Sequence, residues 1–200
     1  MALWGITDAD EAKPKWLTTA QKKEVFANNS GWVVEAGSTQ TGNDNADAQP
    51  EVLCCVGDLA TGIGAADITE IEFITTAFDK SDGGNIDVRV RFNEQVTVNT
   101  SGGTPTLTIT NDTPSRNLTA TYLSGTGKNE LVFRKTIAAA NAATNAGDVL
   151  TIGANAIALA SGTIKDTADG TTNATITNSA PIGAAADQSL LLHNSKTNMI

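Results

Sequence analysis

Histidine, cysteine and long apolar runs are all scarce in this chain, and each scarcity argues against a class of function. His193 is the only histidine among 200 residues, so we expect no Ser/His/Asp or Cys/His relay and no zinc site of paired cysteines and histidines. No run approaches the ~20 apolar residues of a membrane-spanning helix. The first residues also lack the basic and then apolar pattern of a secretion signal. We therefore expect a chain made in the cytoplasm, with no membrane insertion.

The two cysteines do not form a disulfide framework. Cys54 and Cys55 are adjacent, and adjacent residues of a strand point to opposite faces, so their thiols cannot readily bridge. Their neighbours include no basic residue that would favour a thiolate. We expect both to be buried, small apolar side chains.

Basic residues are few as well. Lys and Arg number 13 against 22 Asp and Glu, which gives a net charge of -9. Residues 1–60 hold 4 Lys and Arg against 9 Asp and Glu, so neither part of the chain offers the basic surface that nucleic acid requires. Arg89, Arg91 and Arg134 alternate with acids, and we expect them to be solvated surface residues.

Period-two alternation is what the sequence has in abundance. Ile86, Val88, Val90 and Phe92 alternate with polar residues, which is typical of a strand with one buried and one wet face. The pattern recurs between Gly, Asn and Pro turns and predicts an antiparallel β-sandwich. The further strands expected are 68–74, 107–109, 118–122, 131–133, 149–152, 156–159, 162–166 and 174–177, with an irregular crossover at 138–146.

The front of the chain has a different pattern. Thr18 or Thr19 can cap a short helix that runs to about Ala27, and strands are expected at 31–35 and 51–56 on either side of a long polar loop. A stretch rich in Gly and Ala follows, with the composition of a linker. The chain is thus predicted to be all-β, in this order: an extended arm, a short helix and a small β module at 1–60, a linker at 61–67, the sandwich at 68–182 and a tail at 183–200.

Five ordered motifs in the sandwich region resemble the bacterial Ig-like repeat of large surface adhesins. They cover about 110 residues of the chain. The resemblance implies an Ig-like sandwich and says little about a ligand. The motifs are Val90-Arg-Phe92-Asn-Glu94-Gln-Val96, Gly103-Thr-Pro-Thr-Leu-Thr-Ile109, Ala120-Thr-Tyr122-Leu-Ser-Gly125-Thr-Gly127, Asn129-Glu-Leu131-Val-Phe133 and Gly162-Thr-Ile-Lys-Asp166.

The front segment resembles a second group of proteins, the small virion structural proteins of tailed phages that infect marine cyanobacteria. Those relatives lack an Ig-like domain, so this chain departs from them by adding one. Together the two resemblances imply a capsid decoration protein with a projecting Ig-like domain. The matching residues are Met1-Ala-Leu-Trp-Gly-Ile-Thr-Asp8, Lys13-Pro-Lys-Trp-Leu17, Gly31-Trp32-Val33 and Glu51-Val-Leu-Cys54.

Large apolar side chains in polar surroundings are the candidate interface residues. The front arm is too short to form a core of its own, and Trp is a strong anchor at protein interfaces. The alternative is that these side chains fold back onto the chain's own body. The candidates are Leu3, Trp4, Trp16, Leu17 and Trp32, together with the apolar triplet Leu190, Leu191 and Leu192 of the tail.

Acidic turns are the one feature that suggests a metal. Residues 79–87 and 166–170 place carboxylates beside glycines, but neither has the spacing of an EF-hand calcium loop. Acids next to glycine are ordinary turn chemistry. We therefore expect no metal site, no cofactor and no catalytic residues.

The function expected is that of a virion structural protein on the capsid surface, bound to the major capsid protein or other virion subunits. It could form a homo-oligomer on the shell, and its outer domain could contact cell surfaces or carbohydrate weakly. The alternative is a tail, baseplate or fibre component. Two further alternatives are a fragment of a cellular adhesin, which would show tandem repeats, and a carbohydrate-active enzyme, which would need a pair of carboxylates in a cleft.

Overall fold

The computed structural model describes residues 13–139, 141–178 and 188–193, and the structural statements below concern those residues. Leu3 and Trp4, both candidate interface residues, lie outside them. Strands dominate the described chain and the two helices are short, which confirms the prediction of an all-β protein.

The described elements follow one another as two helices and thirteen strands. The helices are α1 (Thr19–Lys23) and α2 (Leu59–Gly62). The strands are β1 (Val25–Asn28), β2 (Gly31–Val34), β3 (Glu51–Cys55), β4 (Ile68–Phe73), β5 (Phe78–Asp79), β6 (Gly84–Asn99), β7 (Thr106–Asn111), β8 (Leu118–Ser124), β9 (Lys128–Ile137), β10 (Val149–Thr151), β11 (Ile157–Ala158), β12 (Thr163–Asp166) and β13 (Ser189–His193).

These strands form one hydrogen-bonded network in the order β3-β2-β1-β6-β9-β8-β7-β10-β13-β5. Strand β6, with 16 residues, is its spine. Antiparallel partners flank the first half of β6, with β9 on one side and β4 on the other. The second half pairs with β12, and β11 adds to β7. Most strands predicted between residues 68 and 166 are therefore confirmed.

The main core is built by the inward residues of these strands. Ile86, Val88, Val90 and Phe92 of β6 are fully buried and pack in one cluster with inward residues of β4, β7, β8, β9, β10, β12 and β13. Each large apolar side chain so buried contributes about 1.5 to 3 kcal/mol. The inward face that the alternation assigns to β6 is therefore confirmed, whereas Arg91 on its outward face is buried rather than wet.

The front helix is shorter than predicted. Thr18, one of the two caps expected, caps α1 through a reciprocal capping box with Gln21, but α1 ends at Lys23. Residues from Val25 onward form β1 instead, paired with β2 from Val25↔Val34 to Asn28↔Gly31. Tertiary pairing overrides helix propensity here, since β-branched and aromatic residues fit a half-buried sheet surface better than a helix end.

The N-terminal segment, residues 13–62, joins the rest of the chain through β1. Strand β1 forms a parallel bridge to β6 at Ala27↔Glu94. The linker-like stretch contains α2, whose Leu59 is buried in a second core cluster with Trp32, and Ala66 is buried in the main core. The division of the chain into two domains stays a prediction.

The last of the predicted closing strands is wrong, whereas the prediction of an irregular crossover agrees with the structure. Residues 174–177 do not form a strand; only isolated bridges occur, at Asp67↔Thr175 and Lys165↔Asn173. The described part of the 138–146 crossover is irregular, as predicted.

The cysteines were expected to be buried, and this is wrong. Cys54 is half-buried and Cys55 is exposed, and both are free thiols. They lie on β3, which pairs with β2 alone among the described strands, so one edge of β3 has no strand covering it. The apolar run after Glu51 predicted the strand correctly but could not predict that it lies at an edge.

Candidate functional site

Among the candidate interface residues that the structure describes, Trp16 and Leu191 are exposed, Leu17 is half-buried, and the others are buried. Trp16 is 63% exposed in the turn that precedes α1, where the Leu17 amide donates to the Pro14 carbonyl at 3.3 Å. Leu17 is half-buried against the second core cluster. Trp16 therefore presents its indole to the outside from a backbone that its neighbour anchors.

Trp32, a candidate interface residue, is not exposed. Its side chain is buried in the second core cluster, with Val25, Val34 and Leu59. The alternative that the tryptophan packs onto the chain's own body is correct for Trp32, because β2 lies between β1 and β3 and its residues are covered.

The tail triplet was expected to be exposed, and the prediction is wrong for two of its three members. Leu190 and Leu192 are buried in the main core, while Leu191 is 48% exposed. The triplet belongs to β13, which pairs with β10 and β5. Three consecutive leucines of a strand must point to alternate faces, so the run could not be exposed as a whole once it was paired.

A buried ionic cluster holds the N-terminal segment on the sheet. Arg91, expected on the surface, is buried, and its Nε lies 2.7 Å from Glu130 Oε1. Its other guanidinium nitrogens lie 3.9 Å from Glu70 and 3.7 Å from Glu72, both buried acids of β4. Lys23, at the end of α1, reaches Glu70 at 2.6 Å. The sequence placed Arg91 correctly on the outward face of β6, but could not show that a second layer covers that face.

The N-terminal segment adds a second set of polar contacts to this cluster. Glu35 follows β2 and accepts a hydrogen bond from Asn129 Nδ2 at 2.7 Å. Burial and the neighbouring Glu130 raise the pKa of Glu35 to about 7. Burial also lowers the pKa of Lys13 to about 8, although Lys13 donates to the Lys22 carbonyl. The contact between the N-terminal segment and the sheet thus buries ionisable groups, and their burial costs folding free energy.

Replacing Glu35 with Gln should stabilise the protein at alkaline pH. The folded-state pKa of Glu35 lies above its unfolded value, so its stabilising contribution is present at acidic pH and is lost as pH rises toward 7. We expect Glu35→Gln to raise the free energy of unfolding by about 1 to 2 kcal/mol at pH 8 and to change it little at pH 4.5. Urea unfolding at the two pH values measures the difference, and an equal effect at both would contradict it.

A second polar feature is an acidic cavity between the N-terminal segment and the sheet. The cavity, of about 280 Å³, is lined by Asn28 to Ser30, by Glu94 and Gln95 of β6 and by Asp166 at the end of β12. Glu94 is fully buried, and neither of its carboxylate oxygens has a hydrogen-bond partner among the described residues. Burial, and then the charges of Asp166, Asp67 and Asp169, raise the pKa of Glu94 to about 8.

One residue of the sequence indicates this cavity, because it is an acid at a position where the alternation of β6 predicts an apolar residue. Glu94 continues the inward phase of Ile86, Val88, Val90 and Phe92, so an acid occupies a position that the alternation assigns to the core. A polar residue at a core position is either an error or a functional feature. The bridge between Ala27 and Glu94 explains how the acid is covered.

Comparison with known protein families, curated proteins and solved structures finds no significant match. Within the described ranges, no helix has the length and apolar character needed to cross a membrane.

Proposed function

We propose that this protein is a structural component of a virion, a capsid decoration protein that acts by binding through its N-terminal region. The observation that carries the proposal is the exposure of Trp16, since 63% of this large aromatic residue faces outward. Trp is the residue most enriched among the side chains that dominate interface energetics. Its partner would be the major capsid protein or another virion subunit, and its place the capsid surface.

The contacts that fix the N-terminal segment to the sheet support the same proposal. An attachment segment transmits force best when it is fixed to the body that it carries. Here Lys23 contacts buried acids of β4, and Asn129 of β9 bonds to Glu35. Trp16 lies three residues before α1, so its backbone is tied to that fixed assembly.

We further propose that residues 68–182 form an Ig-like sandwich, which would project from the shell. The support is the single core to which the inward faces of β4, β6, β7, β8, β9 and β12 all contribute. An apolar sheet face must be covered by another layer, and two sheets packed face to face are the usual all-β solution. The five ordered motifs that resemble the Ig-like repeat lie on these same strands. An outward domain with this net negative charge suits weak contact with a cell surface or carbohydrate.

Binding to purified shells tests the attachment proposal through Trp16. We expect Trp16→Ala to weaken binding at least about 30-fold, because an anchoring Trp typically carries 2 kcal/mol or more. Thermal stability should change little, since the side chain is exposed. Leu123→Ala is the matched control: Leu123 is 47% exposed on β8, and its removal should leave binding intact. Sedimentation of the labelled protein with shells that lack it measures both.

A deletion extends the same test. Removing residues 1–17 should abolish occupancy and leave the strands of the main core folded, because residues 13–17, the described part of that stretch, do not contribute to it. Wild-type occupancy by the Trp16→Ala variant and by the deletion variant would contradict attachment through this region. Saturation at six to a few dozen copies per particle, rather than hundreds, would indicate a tail or baseplate component instead.

A further inference from the structure

Glu94, which lines the acidic cavity, is a buried acid, and a packed protein core tolerates the charge of such an acid only when another group compensates it. A buried ionised carboxylate needs an opposite charge, hydrogen-bond donors or a metal ion. Glu94 is 0% exposed, and both of its oxygens lack a hydrogen-bond partner among the described residues. The charges that act most strongly on it are those of Asp166, Asp67 and Asp169, which are all negative.

The second carboxylate of the cavity is also buried. Asp166 is 2% exposed and accepts a hydrogen bond from the Ala168 amide at 2.6 Å. That bond fixes the start of a turn, closed by the Gly170 amide donating to the Asp166 carbonyl at 3.1 Å. The cavity thus presents two buried carboxylates from two different strands.

Neutral polar residues line the cavity as well. They are the turn from Asn28 to Ser30, and Gln95, which follows Glu94 on β6. Asn28 Oδ1 accepts from the Ser30 amide at 2.8 Å, which holds this turn in shape. Carboxylate, amide and carbonyl oxygens with room for water are the ligands preferred by hard divalent cations, and calcium tolerates an irregular arrangement of them.

We propose that this cavity binds a calcium ion through the carboxylates of Glu94 and Asp166, with water and neutral oxygens completing the ligand shell. No group of three or more acidic, His or Cys side chains is arranged around a metal position within the described part of the chain. The ion therefore keeps part of its water, and the affinity is modest. A dissociation constant on the order of 0.1 to 1 mM matches the weak class of calcium sites.

Calcium in this position couples the N-terminal segment to the rest of the chain. Asn28 to Ser30 connect β1 and β2, Glu94 lies opposite Ala27 in the bridge between β1 and β6, and Asp166 ends β12. One ion between these three elements draws them together and neutralises the charge that they bury. The calcium site thus stabilises the contact between the N-terminal segment and the sheet. Calcium binding at this site does not depend on the proposed function.

Calorimetric titration and thermal unfolding of the full chain, first stripped of metal with a chelator, test the proposal. We expect one calcium ion per chain and a rise of about 4 °C in the unfolding temperature at 10 mM calcium. Magnesium at the same concentration should produce a smaller rise, because it loses its water shell reluctantly. Both measurements use the ion alone as the probe.

Two isosteric variants make the test specific. Glu94→Gln should abolish both the calorimetric signal and the calcium-dependent rise. In chelator above pH 8, where Glu94 is ionised, the variant should unfold at a higher temperature than the wild type, because the uncompensated charge is gone. Asp67→Asn is the matched control: Asp67 is an exposed acid near the cavity that does not line it, and its removal should leave the rise nearly intact.

Three outcomes would overturn the proposal. The first is an unfolding temperature of the wild-type protein that does not respond to calcium. The second is an equal response in the Glu94→Gln variant, which would place the ion elsewhere. The third is a wild-type stability that falls from pH 5 to pH 8 identically with and without calcium, which would mean that Glu94 is buried as the neutral acid.

Discussion

Replacing Arg91 with methionine destabilises the protein by about 3 kcal/mol, because it leaves buried acids without their shared counter-charge. The Arg91 guanidinium lies within 3.9 Å of Glu70, Glu72 and Glu130, and Lys23 and Arg89 cannot neutralise all three. Methionine keeps most of the side-chain volume, so packing is preserved and the charge effect dominates. Urea unfolding at neutral pH measures the loss.

Arg134→Met is the control for this prediction. Arg134 pairs with Asp87 at 2.6 Å, but its side chain is 37% exposed, so solvent screens the pair and we expect a much smaller loss of stability than for Arg91→Met. An equal loss in the two variants would mean that the N-terminal segment does not cover Arg91. The difference between the two variants in free energy of unfolding therefore reports on the burial of Arg91 beneath the N-terminal segment, not on the stability that any ion pair contributes.

Replacing Leu192 with alanine destabilises the protein by a similar amount, about 3 kcal/mol, which lowers the unfolding temperature by roughly 6 to 12 °C. Leu192 is 1% exposed, and its strand, β13, pairs with both β10 and β5. Truncation leaves a cavity in the main core that the strand cannot close without breaking those pairs.

The neighbouring residue provides the control. Leu191 is 48% exposed on the other face of the same strand, and Leu191→Ala should change the free energy of unfolding by less than about 0.5 kcal/mol. Thermal unfolding of both variants is the measurement. Equal losses, or none in either, would contradict the pairing of β13, since only a paired strand separates the two faces so sharply.

Local patterns predicted the strands well, because a half-buried strand carries its alternation in its own residues. Strands β6 to β9 and the cap at Thr18 follow from period-two residues, turn residues and capping chemistry alone. The end of α1 did not follow in the same way. Val25 and Phe26 are compatible with a helix end, and only their pairing with β2, which no local pattern encodes, makes them a strand.

Contacts between distant parts of the chain could not be predicted from the same patterns. Alternation assigns Arg91 to the outward face of β6, which is correct, but whether an outward face meets water or another layer depends on packing over long sequence separations. The same reasoning applies to Trp32 and to the Leu190–Leu192 run. Glu94 is the exception, because an acid at an inward position of the alternation is visible in the amino-acid sequence itself.

The N-terminal segment combines buried charges with one exposed aromatic residue. Lys23 contacts Glu70 of β4, and the segment packs an apolar cluster of its own around Trp32, yet Trp16 is 63% exposed. Completing a core does not account for an exposed Trp, which is the reason to propose attachment rather than a passive extension of the fold.

Electron cryo-microscopy of the intact particle, with this chain fitted to its density, tests the central proposal most directly. We expect many copies on the head, with the turn that carries Trp16 against the shell and the strands of the main core pointing away from it. Density for this chain only in the tail, or a contact made by the opposite end with Trp16 facing solvent, would contradict it.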